Sequence, residues 1–170
     1  MHSMRWARSW VFAAALALGA ASSAASPPAA TVEFAPAVAA KMQGYGEDQR
    51  APLEKAVLAA VAYGSAKCPA VAGLEIAVTV EDAAPTHPTP AQLAAEPALS
   101  PTRSKYLGGA RLRGEVRDAS HHVLAEVQHE YFAPTLGLGS SSLDPWADAR
   151  LAIDQFGFKL TAACRALPRG

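Results

Sequence analysis

The chain has 170 residues, with 15 Lys or Arg against 15 Asp or Glu, and 51% of its residues are hydrophobic. That balance gives no electrostatic footprint for nucleic acid or for an anionic membrane face, so neither is expected as a partner. The length suits one ordinary domain with a real core.

Arg5 and Arg8 form a positive n-region, Val11 to Ala21 an apolar h-region, and the run ASSAAS supplies small residues for a cleavage site. Ser22 and Ala24 take the recognition positions, and a cut one residue later fits equally well. The expected organisation is a signal peptide over 1–24, a mobile leader over 25–30 and one globular domain over 31–170. Cleavage leaves 13 basic residues against 15 acidic. No later apolar run approaches the roughly 18 residues of a membrane helix, so the mature chain is expected to be soluble and periplasmic or secreted.

Val32 to Phe34 begins like a strand, but Pro36 and the alanines behind it argue against extending it. Whether this strand joins a sheet is left open. Asp48 to Gly64 predicts a helix, with Pro52 in its first turn and Leu53, Val57, Val61 and Gly64 on one face. That stripe extends to Cys68, and Pro69 stops it. Leu74 to Val80 alternates with period two and predicts a half-buried strand. Thr89, Pro90 and Gln92 form a capping-box pattern for a short helix that Pro97 ends.

Gly109 to Phe132 predicts a hairpin. Ala110, Leu112, Gly114 and Val116 share one face, opposite Arg111, Arg113, Glu115 and Arg117. Beyond the DASHH turn, Val123, Ala125, Val127, His129 and Tyr131 face away from Leu124, Glu126, Gln128 and Glu130. The two polar faces are complementary in charge, as neighbouring antiparallel strands require. A last helix follows, with Asp144 as its cap and Pro145 at its first position. Trp146, Ala149, Ile153, Phe156, Leu160, Ala163 and Leu167 recur along it at spacings of three and four. The expected fold is α+β: a two-layer sandwich with an antiparallel sheet and helices packed on one face.

Cys68 and Cys164 are the two cysteines. In an oxidising compartment an even count favours a disulfide, here between the ends of two buried helical stripes. Zinc is the weaker alternative, since the pair is not closely spaced.

Few other residues look chemical. His87 stands between two prolines in PTHPTPAQL, on a stiff extended segment with no acidic or thiol neighbour, and is read as structural. His121, His122 and His129 lie on one hairpin, and three imidazoles there raise a Zn²⁺ or Cu²⁺ site. At about 3.3 Å per strand residue, His129 is too far from the turn to share an ion with the other two. His121 and His122 therefore remain as a weak surface metal site, and His129 as a hydrogen-bonded core histidine. The run GLGSSSLDP lacks the G-x-S-x-G elbow of a strained nucleophile and reads as a linker. No catalytic residue and no cofactor is assigned.

Three blocks carry a resemblance: VEDAAPTHPTPAQLAAEPALS, SKYLGGARLRGEV and SSSLDPWADARLAIDQFGFKL. Between roughly Val78 and Leu160 the chain resembles an uncharacterised family of exported proteobacterial proteins. Its pattern is Pro-x-x-Pro-Thr, then Gln-Leu, then Gly-Gly-Ala, with a Trp and a Phe in the last helix. The resemblance implies export and a shared small fold, and supplies no activity and no catalytic residues. The chain departs from the pattern in the hairpin turn, where His121 occupies a position suited to glycine at φ > 0. The expected function is a non-enzymatic domain acting through contacts with an envelope protein. The alternative is a small-ligand or metal binder in the same compartment.

Overall fold

The computed structural model describes residues 29–68, 73–136 and 143–168. The expected signal peptide and the leader as far as residue 28 lie outside them, as do residues 137–142 of the serine-rich run. Ala29 and Ala30, expected in the leader, already belong to β1 (Ala29–Phe34), where the Ala29 N–H donates to the Leu74 carbonyl at 3.3 Å.

The chain continues through α1 (Pro36–Tyr45), a 3₁₀ turn (Glu47–Gln49) and α2 (Arg50–Ser65) to β2 (Glu75–Ala84). Then come α3 (Pro90–Ala95), β3 (Gly109–Arg117), β4 (Val123–Phe132) and α4 (Ala147–Ala166). The sheet order is β1-β2-β3-β4. The α+β sandwich expected from the sequence is present, but the sheet is mixed. β1 runs parallel to β2, whereas β2, β3 and β4 are mutually antiparallel. The parallel pair follows from α1 and α2, which carry the chain back to the start of the sheet before β2 begins.

Pro36, taken in the sequence as a reason to end structure, sits instead at the start of α1, where a missing N–H costs nothing. Val38 and Met42, one turn apart, are the residues this helix buries. α4 begins three residues after its expected cap. Asp144 takes the Trp146 N–H on Oδ1 at 3.0 Å, so it caps a turn ahead of the helix and Trp146 holds the boundary.

Both hairpin faces are placed as the alternation predicts, in β4 from Ala125 onward. A register shift at Val116/Arg117 pairs Val123 with Arg117 and leaves it 52% exposed, not on the apolar face expected for it. Ala110, Leu112 and Val116 of β3 join Ile76, Val78 and Val80 of β2 beneath Leu53, Val57 and Val61 of α2 and Ile153, Phe156 and Leu160 of α4. Gly114 interrupts the apolar row because Phe156 needs its space: a Cβ there would lie 2.6 Å from the ring's Cζ. Cys68 and Cys164 are joined by a disulfide across 96 residues, with their Cα atoms 4.3 Å apart.

Candidate functional site

The segment Pro85–Thr89 is buried at every residue, which is unusual for a connection between elements. It is tolerated where its backbone groups find partners, as those of Thr86 and Thr89 do. The Thr86 N–H donates to the Pro145 carbonyl at 2.6 Å, and the Tyr106 N–H donates to the Thr86 carbonyl at 2.9 Å. The Thr86 hydroxyl accepts the Asp148 N–H at 3.0 Å and donates to Asp148 Oδ2 at 2.9 Å. This reciprocity lets Thr86, from a distant segment, bond the start of α4, with Asp148 in the first turn, where the helix dipole favours an anion.

Neighbouring groups extend the network. Thr89 forms its own capping box with Gln92 at the start of α3, as expected, and donates to the Tyr45 carbonyl at 2.7 Å. Trp146 Nε1 donates to Gln49 Oε1 at 3.0 Å, and its ring meets the Tyr45 ring edge-on at 5.5 Å. His87 Nδ1 lies 3.3 Å from the Ser104 carbonyl, an arrangement that uses it as a donor. The glycine of SKYLGGA that faces Thr86 has no room for a side chain, since a Cβ on Gly108 would overlap the Thr86 hydroxyl and lie 2.7 Å from its nitrogen.

Segments around Thr86, Gly108 and Asp148 therefore meet at one buried knot. A carboxylate bonded to a hydroxyl beside an imidazole invites a catalytic reading. Thr86, His87 and Asp148 are only 4%, 2% and 1% exposed, however, and the hydroxyl and imidazole are committed to internal bonds. This arrangement holds α4 against the sheet and presents no reacting group to solvent. Asp148 Oδ1 is buried without a hydrogen-bond partner among the described residues, so the knot stakes much on Thr86.

The hairpin histidines separate as their spacing predicts. His129 points to the helix side and reaches Gln155 Oε1 from Nε2 at 2.8 Å. His121 Nδ1 lies 3.1 Å from Glu75, and His122 Nδ1 lies 3.5 Å from Asp118. Among the described residues, no group of three His, Cys, Asp or Glu side chains is placed to hold a metal ion. The N–H groups of His122 and Ser120 hold the Asp118 carboxyl below the usual carboxylate range.

His121 is left-handed, at φ 61°, following a turn closed by its own N–H to the Asp118 carbonyl at 2.9 Å. That is the three-residue hairpin loop whose last position favours glycine. Replacing His121 with glycine is expected to raise stability by about 0.5–1 kcal/mol by removing the Cβ strain. A urea titration checks this, and an unchanged or lower midpoint would show that the Glu75 contact matters more.

The sheet face away from the helices is open. Arg111 pairs with Glu130 at 2.7 Å, Arg113 with Glu126 at 3.2 Å, and Arg117 with Glu115 at 2.6 Å. Arg111 and Arg113 are thus neutralised by β4 and Arg117 by Glu115 of its own strand, and solvent-facing pairs of this kind contribute little to stability. Between β1 and β3 lies a trough of about 250 Å³, with Thr31, Glu33, Glu75, Thr79, Arg113 and Arg117 on its walls.

The two sheet edges differ. At β4, the Lys159 ammonium donates to the Gln128 carbonyl at 3.2 Å, and Glu126 and Glu130 stand on the open face. A lysine and flanking charges are how proteins blunt an edge. β1 has no lysine or proline. Its odd-numbered residues bond to β2, as the Ala29 and Ala35 N–H groups show. In a parallel ladder the N–H and C=O of Ala30, Val32 and Phe34 must then point outward. The sequence raised a strand at Val32 to Phe34 but left its pairing open, because six residues before a proline carry too little alternation.

No family model, curated protein or solved structure matches the chain. The disulfide fits an oxidising compartment. Among the described residues no helix is long and apolar enough to cross a membrane.

Proposed function

We propose that the chain is an exported, non-enzymatic domain that acts through protein contacts in the cell envelope, with the β1 edge as its contact. The unblunted row of outward backbone groups at Ala30, Val32 and Phe34, beside a guarded β4 edge, carries this reading. An extended segment added there would complete hydrogen bonds that the fold leaves to solvent. The burial of the Thr86, His87 and Asp148 side chains supports it, since the most chemical-looking cluster serves packing.

A photoreactive residue in place of Thr31, on the open face of β1, tests the proposal in intact cells. The expected result is a crosslinked product heavier than the chain alone. A monomer only, under illumination that crosslinks a control protein, would overturn it.

The trough favours a second reading, a small-ligand binder. Under that reading, a native mass spectrum of the protein purified from the periplasm would show an added mass that leaves on unfolding.

A further inference from the structure

The edge that the preceding proposal assigns to a protein contact fits one occupant in detail. We propose that this occupant is a second copy of the chain, paired through β1 in antiparallel fashion about a two-fold axis at Val32. The inference rests on β1 being the contact edge.

The register follows from the outward groups. With Val32 opposite Val32 of the second copy, Ala30 falls opposite Phe34 of the second copy, and Phe34 opposite its Ala30. All three are residues whose N–H and C=O face away from β2, so every outward group of the strand finds a partner. A shift by two residues in either direction leaves some of them unpaired.

Side chains agree with that register on both faces. On the helix side it sets the large Phe34 against the small Ala30 and valine against valine, and all three residues are half-buried in the single chain. On the open side it sets Thr31 against Glu33 of the second copy, so no like charges face each other. Pairing β4 with itself about Gln128 would instead oppose Glu126 and Glu130 and displace Lys159 from the Gln128 carbonyl.

α2 adds a third agreement. The Arg50 guanidinium lies 4.7 Å from the centre of the Phe34 ring, which places this flank of the helix above β1. Glu54 and Leu58 continue the flank at four-residue steps. α2 must return the chain from the end of β1 toward Glu75, which stands beside Ala29. Eight helical residues span about 12 Å, close to the roughly 13 Å from Phe34 back to Ala30. Leu58, 37% exposed in the single chain, is thereby set above Ala30, where Phe34 of the second copy would cover it. One contact then serves both copies identically, as a two-fold interface requires.

Sedimentation velocity of the protein exported from its own signal, from about 1 to 100 µM, is the test. The expected result is a concentration-dependent dimer. Val32→Pro removes an outward N–H that forms no bond within the chain, and should give monomer throughout with the circular dichroism spectrum retained. Leu58→Lys leaves β1 intact and should weaken the dimer by about tenfold or more, which guards against misreading a folding defect. Lys159→Ala, at the opposite edge, should leave it unchanged. A wild-type monomer at 100 µM, or a dimer equally tight in Val32→Pro and Leu58→Lys, would overturn the proposal. If the wild type is monomeric while the residue-31 crosslink still captures another protein, self-pairing falls and the edge reading stands. If neither forms, both fall.

Discussion

Replacing Cys68 and Cys164 together with serine is expected to lower stability by about 4–5 kcal/mol. The magnitude comes from the loop: a link across 96 residues removes a large share of the unfolded chain's freedom, and the chain-entropy relation gives about 4.7 kcal/mol for a loop near 100 residues. Single domains are stable by only about 5–15 kcal/mol, so the variant loses a large fraction of the total. Cys164 is fully buried under α2, and the serine hydroxyl adds a smaller cost there. Urea unfolding at fixed temperature checks the prediction. The midpoint should fall steeply, and the slope should rise as the unlinked chain exposes more surface. A loss below about 1 kcal/mol would show that loop closure is not what the bond contributes.

Thr86→Val is expected to cost about 3 kcal/mol, although it preserves shape. The hydroxyl lost is both the donor to Asp148 Oδ2 and the acceptor of the Asp148 N–H. Because Oδ1 has no partner among the described residues, a carboxylate only 1% exposed would then lose its side-chain hydrogen bond. Hydrogen bonds to charged groups contribute about 1.5–3 kcal/mol, and stranding a buried charge adds to the loss. The double variant Thr86→Val with Asp148→Ala gives a sharper check, since it leaves no carboxylate stranded and only the residue-148 N–H without its acceptor. Its stability should lie closer to the wild type than the sum of the single losses predicts. Strictly additive losses would mean that the two side chains act independently and that the buried knot is no unit.

That knot bears on the functional reading. Its residues come from segments 62 positions apart, and they fix where α4 begins relative to the end of β2. The same junction explains why Asp144 does not cap α4 directly. With Pro145 offering its carbonyl to Thr86, the chain turns once more before the helix starts. Thr86, Gly108, Pro145 and Asp148 thus serve packing and hydrogen bonding at this junction. The contact surface is sought elsewhere, at a strand edge.

Much of the molecule was legible from local pattern. Period-two alternation placed both faces of β3 and of β4 from Ala125 onward, because a pleated strand fixes which side each residue takes. It failed at Val123, where the register shifts. The stripes of α2 and α4 named their buried residues and carried the cysteines to the same side, and the capping box at Thr89 was read directly. The strain at His121 was legible too, since a short hairpin loop demands a left-handed residue whatever surrounds it.

What sequence left undecided lay where long-range partners choose between local options. α1 was missed, and β1 was read only over Val32 to Phe34 with its pairing left open, because alanine-rich segments around a proline carry little periodic signal. Their structure comes from the β2 ladder and from burying Val38 and Met42. The burial of Thr86, His87 and Asp148 was equally hidden, since no local pattern says which polar residues will meet across 62 positions. The sequence by itself determined the amphipathic elements and the compatible cysteine positions, for those depend on spacing along one strand or helix. Only the tertiary structure decided the parallel first strand, the buried knot and the unguarded edge, because each is a property of segments brought together from far apart.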